Sequence, residues 1–210
     1  MGERRVRVEQ LSTLTGRAAL FLDRDGVLNE PVWDERSGAM ESPLQPSDVR
    51  LVAGAAIAVR RATAAGLPVI VVSNQPAAAK GIVDEPTIRA IHARVLSLLA
   101  AGGAVIDRSY LCLHHPQGAV VSLTRVCDCR KPAPGLLLQA AADLDLELSR
   151  CWLIGDTDAD LGAARRASLA GIVIFENPLS AHRRTILSDS ADGLASTISA
   201  AMDVVLERML

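Results

Sequence analysis

Ala18-Ala19-Leu20-Phe21-Leu22-Asp23-Arg24-Asp25-Gly26-Val27-Leu28-Asn29 is the stretch on which the fold turns. Five apolar residues in a row read as a short buried strand. The run breaks abruptly into Asp23-Arg24-Asp25-Gly26. Two carboxylates two residues apart at the end of a buried strand repel each other, and a bound cation relieves that repulsion. In an open α/β sheet, ligands bind beyond the carboxyl ends of the strands, where these aspartates would stand. Gly26 then permits a tight turn that a side chain would hinder.

Outward from this strand the chain alternates. Leu67 to Val72, Ile106 to Cys112, Cys151 to Ile154 and Gly171 to Phe175 read as further buried strands. Helices are expected at Ala53 to Ala65, Asp84 to Gly102 (opened by Asp84 with Pro86 in its first turn), Pro134 to Leu144, Ala159 to Ala167 and Ala191 to Leu206. Strands alternating with helices mean βαβ units and a parallel sheet. Glu30 to Asp48, with Pro31, Pro43 and Pro46, reads as a long loop over the strand ends. Met1 to Arg17 is an arginine-bearing lead-in without periodicity, and 18–210 form a single domain.

Composition narrows the classes. Half of the 210 residues are hydrophobic but only 2% are aromatic, so the core is built from Ala, Val, Leu and Ile, as in parallel strands covered by helices. A net charge of −2 gives no basic field for nucleic acid. With no signal-peptide pattern and no apolar run of ~18 residues, the expectation is a soluble cytoplasmic protein, monomeric and without membrane contact. Four cysteines in such a chain point to metal or buried thiols rather than disulfides.

Three strands end in polar residues: Asp23/Asp25, Ser73/Asn74 and Asp156. A fourth polar point, Arg130-Lys131-Pro132, opens a helix. An Asp-x-Asp pair alone is commonly two solvated charges in a loop; four such points converging are a site. In this order they resemble the motifs of the haloacid dehalogenase superfamily of aspartate-nucleophile phosphatases, over about residues 18 to 175. Cys112-Leu113-His114-His115-Pro116-Gln117-Gly118 with Cys127-Asp128-Cys129-Arg130-Lys131-Pro132 extends the resemblance to the D-glycero-D-manno-heptose-1,7-bisphosphate phosphatases and their histidinol-phosphatase relatives. The resemblance implies a Rossmann-like parallel sheet of strand order 3-2-1-4-5, helices on both faces, a zinc-binding loop insertion at 112–130 and no cap domain. It also implies Mg²⁺ held by the Asp23 carboxylate, the Asp25 backbone carbonyl and the Asp156 carboxylate. Asp23, first off the strand, is the candidate nucleophile and Asp25 the general acid/base. Ser73 and Asn74 are expected to hydrogen-bond the phosphoryl group and Lys131 to neutralise it. Lys80 and Arg130 remain as cations for a second phosphate. Asp160 is expected behind Asp156 and Asp158 as a solvated helix start, while His182, Arg183 and Arg184 are read as a solvated surface turn, with a substrate contact as the alternative.

Cys112-x-His114 and Cys127-x-Cys129 offer a tetrahedral Cys₃His set for a structural Zn²⁺. His115 could replace His114, but the family favours His114. Cys151 reads as a core thiol. The chain departs from the family's Ser-Gly-Ile-Ala-Arg-Gly after Asn-Gln, having Pro76-Ala77-Ala78-Ala79-Lys80-Gly81 instead, which swaps a guanidinium fork for a point charge. The loop after Asn29 is longer than usual and carries Trp33. Three functions compete on these residues: a heptose-bisphosphate phosphatase, a phosphatase for histidinol phosphate or another small phosphomonoester, and a non-catalytic zinc-containing binding module.

Overall fold

Leu20, Phe21 and Leu22 form the central strand β1, and their side chains alternate between the two sheet faces. Leu20 and Leu22 pack in one apolar cluster and Phe21 in the other, all three fully buried. A strand buried on both faces needs helices above and below, and this chain supplies them. The computed structural model describes residues 16–185 and 190–210.

Six parallel strands make the sheet: β1 (Leu20–Leu22), β4 (Val69–Asn74), β5 (Arg108–Cys112), β6 (Trp152–Gly155), β7 (Gly171–Phe175) and β8 (Gly193–Ala195), ordered β5-β4-β1-β6-β7-β8. The five strands expected from the sequence stand in the order 3-2-1-4-5, and β8 adds one edge. Helices α1 (Ala55–Ala64), α2 (Glu85–Ala101) and α5 (Ile198–Met209) cover the face of Leu20; α3 (Gly135–Leu144) and α4 (Asp158–Arg166) cover that of Phe21.

The boundaries follow local chemistry. Asp84 caps α2 by accepting from the Thr87 N–H at 2.9 Å, with Pro86 in the first turn. The last helix is shorter than expected. Residues 193–195 pair with β7 as β8, and the Thr197 hydroxyl caps α5 by accepting from Ala200 N–H at 3.1 Å. The helical stretch therefore begins at Ile198, not at Ala191. The long loop after Asn29 contains an antiparallel hairpin, β2 (Val32–Asp34) and β3 (Ala39–Glu41), on which Trp33 is 56% exposed. Among the described residues no inserted domain covers the sheet's carboxyl end; this hairpin and the cysteine loop border it. Of the lead-in only Gly16 and Arg17 are described, and Arg17 bonds through its backbone to Asp145 and Glu147. No described helix is long and apolar enough to cross a membrane.

Candidate active site

β1 delivers Asp23, Arg24 and Asp25 to the sheet's carboxyl end, all three buried. Asp23 uses one oxygen for the protein. Its Oδ1 accepts from the Arg24 N–H at 2.7 Å and pairs with Lys131 Nζ at 2.9 Å, while no described group bonds Oδ2. Burial, opposed by Lys131 and reinforced by Asp160 and Asp25, pushes the Asp23 carboxyl up to about 6.

Asp25 is held differently. Oδ1 accepts from Arg24 Nε at 3.0 Å and Asn29 Nδ2 at 2.9 Å. Oδ2 accepts from Arg24 Nη2 at 2.9 Å, Gln75 Nε2 at 2.6 Å and Ser42 Oγ at 2.8 Å. Burial works against its charge, but Arg24 and the bonds from Gln75, Ser42 and Asn29 outweigh it and hold the carboxyl below its ordinary range.

Lys131 reaches the site from the segment before α3. Its Nζ bonds the Val72 carbonyl at 2.9 Å and Asp160 Oδ1 at 2.5 Å as well as Asp23. Burial disfavours its charge, yet the two carboxylates more than compensate and raise its proton affinity, so it stays cationic. Asp160 completes this support: its Oδ2 accepts from the Thr157 N–H and hydroxyl, closing a capping box at the start of α4.

Asp156, at the exit of β6, is fully buried; among the described residues the Ser180 hydroxyl lies near its carboxylate, but neither carboxylate oxygen has a hydrogen bond of ordinary geometry. Burial, with Asp23 and Asp160 nearby, lifts its carboxyl well above its ordinary value. A Cβ at Gly26, whose φ is +92°, would lie 1.9 Å from Asp156 Oδ2, so the turn after β1 must be glycine for that carboxylate to sit here. Asp23, Asp156 and Asp160 bring oxygens within 4.8 Å of one another. Asp160 is already committed to Lys131 and Thr157, which leaves Asp23 and Asp156 as the free oxygens. A buried, unpartnered carboxylate beside a second one is a donor set that fits a hard divalent cation.

Ser73 and Asn74 end β4. Ser73 Oγ is buried and accepts from Gln75 Nε2 at 3.0 Å. The Asn74 amide is occupied by the backbone of Lys131. Both residues line a cavity of about 310 Å³ together with Asp23, Asp25, Lys131, Lys80 and Arg130. Every sequence-predicted residue of the phosphate site thus meets here except Asp156, which is fully buried and does not line the cavity.

Three expectations are corrected. Arg184 is not a solvated turn residue: its Nη1 donates to the Asp156 carbonyl at 3.0 Å and its Nη2 to the Asn177 carbonyl at 3.0 Å. Arg183 lines the cavity and donates to Glu41 Oε2 at 2.9 Å, leaving only His182 of the three exposed. Asp158 is not merely a solvated helix start, since its Oδ2 accepts from the Thr185 N–H and hydroxyl at 2.7 and 2.6 Å. Arg24, Ser42 and Gln75 have no counterpart among the expected residues. The signal for Gln75 was its place directly after Ser73-Asn74; Arg24 reads in sequence as one more solvated charge.

Cys112, His114, Cys127 and Cys129 converge from β5 and the loop after it. Cys129 Sγ lies 3.1 Å from Cys112 Sγ, 3.2 Å from Cys127 Sγ and 3.2 Å from His114 Nδ1. His115 stands apart, its Nδ1 accepting from the Gln117 N–H at 3.1 Å. Cys151 is buried in the apolar cluster under α3 and α4. Three sulfurs and one imidazole nitrogen this close suit a tetrahedral thiophilic ion.

The HAD-hydrolase-like family is matched over residues 128–190. A D-glycero-D-manno-heptose-1,7-bisphosphate 7-phosphatase of Thermosynechococcus vestitus is 41% identical over 162 residues, 75% of this chain and 79% of that one. The D-glycero-beta-D-manno-heptose-1,7-bisphosphate 7-phosphatase of Rhodopseudomonas palustris is 37% identical over 155 residues, 74% of this chain and 82% of that one. The chain belongs to the heptose-bisphosphatase branch of the haloacid dehalogenase-like phosphatases. It is a phosphomonoester hydrolase by that membership. Its structure resembles a D,D-heptose 1,7-bisphosphate phosphatase from B. bronchiseptica solved with magnesium and phosphate, with a TM-score of 0.73 and 26% identity over 90% of this chain and 98% of that one. It also resembles a HAD-like phosphatase from Mesorhizobium loti, with a TM-score of 0.76 and 30% identity over 93% of this chain and 87% of that one.

Proposed function

We propose that the enzyme removes the C7 phosphate of D-glycero-D-manno-heptose 1,7-bisphosphate through an aspartyl-phosphate on Asp23, leaving the C1 phosphate in place. The observation that carries this reading is the division of cations in one cavity. Lys131 is buried against Asp23, while Lys80 and Arg130 line the same cavity farther out. One phosphoryl group needs the first; a second dianion accounts for the others.

Asp23 Oδ2, free of protein donors, attacks phosphorus as the bond to the C7 oxygen breaks. Asp25 takes up a proton from solvent as the substrate dianion enters, gives it to that leaving oxygen, then takes one from the water that opens the acyl phosphate. The resting Asp25 is ionised, and a phosphate dianion beside it raises its proton affinity. Ser73 donates its hydroxyl to a phosphoryl oxygen. Lys131, its three donors taken by Val72, Asp23 and Asp160, neutralises the phosphoryl charge from its buried position, and Asn74 acts through Lys131. Asp23, Asp156 and the Asp25 carbonyl would hold Mg²⁺, which supplies charge neutralisation at the reacting phosphate. Cys112, His114, Cys127 and Cys129 would hold a structural Zn²⁺ immediately before Arg130 and Lys131 in sequence. Thiols kept for metal suit a reducing, cytoplasmic setting.

A substrate panel with and without Mg²⁺ tests this reading, with ³¹P NMR to identify the phosphate released. The bisphosphate should be preferred over histidinol phosphate. Lys80→Ala and Arg130→Ala should each cost roughly 1–3 kcal/mol in kcat/KM on the bisphosphate, and less on a monophosphate. Preference for histidinol phosphate, or equal losses on both substrates, would overturn it; absence of phosphate release would leave only the binding-module reading.

A further inference from the structure

Glu41 is out of place in a cavity meant for anions. It ends β3 and lines the same space as Lys80, Arg130 and Lys131. A carboxylate there repels every phosphate that enters. It cannot accept from a fully ionised phosphate ester, which offers no proton. Its use must lie with a part of the substrate that donates hydrogen bonds.

Arg183 defines what that part is. From the segment after β7 its Nη2 donates to Glu41 Oε2 at 2.9 Å and to the Met40 carbonyl at 2.7 Å. The pair fixes Glu41 in one position on the wall. It also neutralises it, which weakens both its repulsion of phosphate and its attraction for an ammonium group. What survives is the lone-pair capacity of Oε1, for which no described residue supplies a donor. Both side chains are about one-third exposed, at 34% for Glu41 and 30% for Arg183, so they are fixed yet reachable. A charge-neutralised carboxylate with one open oxygen suits a neutral donor, and the neutral donors of a sugar phosphate are its hydroxyls.

We propose that Glu41, held by Arg183, is a specificity-determining residue that accepts hydrogen bonds from the hydroxyl groups of the substrate's carbon chain. This deepens the sugar-phosphate reading above and rests on it.

The test uses three phosphomonoesters with six-carbon chains: glucitol 6-phosphate, hexyl phosphate and 6-aminohexyl phosphate. They are assayed with the wild-type enzyme and Glu41→Gln in the presence of Mg²⁺. Glutamine still offers an oxygen to Arg183, so the link between the two loops is retained, but it replaces the open acceptor by a donor. The ratio of kcat/KM for glucitol 6-phosphate to that for hexyl phosphate should fall roughly 10-fold or more, mainly through KM, with the melting temperature within about 2 °C of wild type. A ratio within twofold of wild type would overturn the proposal. So would selective loss of the aminohexyl ester, or loss on all three esters together with a lowered melting temperature, which would make the pair a structural clasp. If the wild-type enzyme hydrolyses no sugar phosphate, the functional reading itself fails; if it prefers glucitol 6-phosphate and Glu41→Gln keeps that preference, only the role of Glu41 fails.

Discussion

Asn74 and Lys131 exchange two hydrogen bonds: Asn74 Nδ2 donates to the Lys131 carbonyl at 2.9 Å, and the Lys131 N–H donates to Asn74 Oδ1 at 3.0 Å. The amide at the end of β4 thereby sets the backbone from which the buried ammonium reaches Asp23. Asn74→Ala should lower kcat by roughly 10- to 100-fold, the order expected for losing bonds that position a charged group. Asn74→Asp should be worse, because a carboxylate facing the Lys131 carbonyl cannot donate. Steady-state kinetics check this; unchanged kcat in the alanine variant would show that Lys131 holds its place without the amide.

Asp23→Asn should retain the fold by circular dichroism and lose at least ~10³-fold in turnover, comparable with removing a central nucleophile. An amide neither attacks phosphorus well nor offers the same charge to a cation. Residual activity within tenfold of wild type would remove Asp23 from the nucleophile's role.

In the metal-free protein Asp23 and Asp156 should withdraw stability as pH rises from 4 to 7, while buried His92, lowered from 6.5 to about 4, adds stability over the same range; comparing wild type with Asp23→Asn isolates the part due to Asp23. Asp23, lifted from 3.8 to about 6, binds its proton more tightly folded than unfolded. The stability this supplies is complete below pH 3.8 and is lost as pH rises through about 6. Asp156 is shifted in the same direction. Asp25, shifted the other way, gives stability that is lost only as pH falls below the ordinary carboxylate range. Mg²⁺ competes with protons for Asp23 and Asp156. At a concentration ~100-fold above Kd it should raise the melting temperature by about 5–10 °C at pH 7.5, and by clearly less at pH 5. Equal shifts at both pH values would place the cation elsewhere. Calorimetry with and without chelator measures both effects.

Protein purified without chelator should contain about one zinc per chain, because three sulfurs and one imidazole can close a tetrahedral shell. Cys127→Ser should lower the melting temperature by ~5 °C or more and reduce activity, since the next residues along the chain after Cys129 are Arg130 and Lys131. Metal analysis by mass spectrometry decides the first point; absence of zinc would leave the four residues a packed thiol cluster.

Much of the site was legible because each catalytic strand carries an abrupt change of polarity. Leu22 to Asp23, Val72 to Ser73 and Gly155 to Asp156 each mark a buried run meeting the sheet's carboxyl end. The supporting residues were not legible, because their partners are far away in sequence. Gln75 joins Asp25 and Ser73 across the β1–β4 pairing, and Arg184 supports the Asp156 carbonyl from 28 residues away. Arg24 lies between two aspartates and reads as solvated, yet it is fully buried because both Asp25 and Gln75 accept from it. β8 is illegible in the sequence for a different reason. Three residues, Gly193-Leu194-Ala195, are too few for a period to show, and only pairing with β7 makes them a strand.

The close approach of Gly26 to Asp156 has a consequence for how this enzyme can change over generations. Every other amino acid carries a Cβ, and at this position a Cβ meets the Asp156 carboxylate at 1.9 Å. Drift at residue 26 is therefore closed, whatever codon arises. Lys80, exposed at the outer edge of the same cavity, meets no such barrier. The turn against Asp156 and the rim of the cavity are therefore constrained to different degrees, so residues around the rim can change while Asp156 keeps its place.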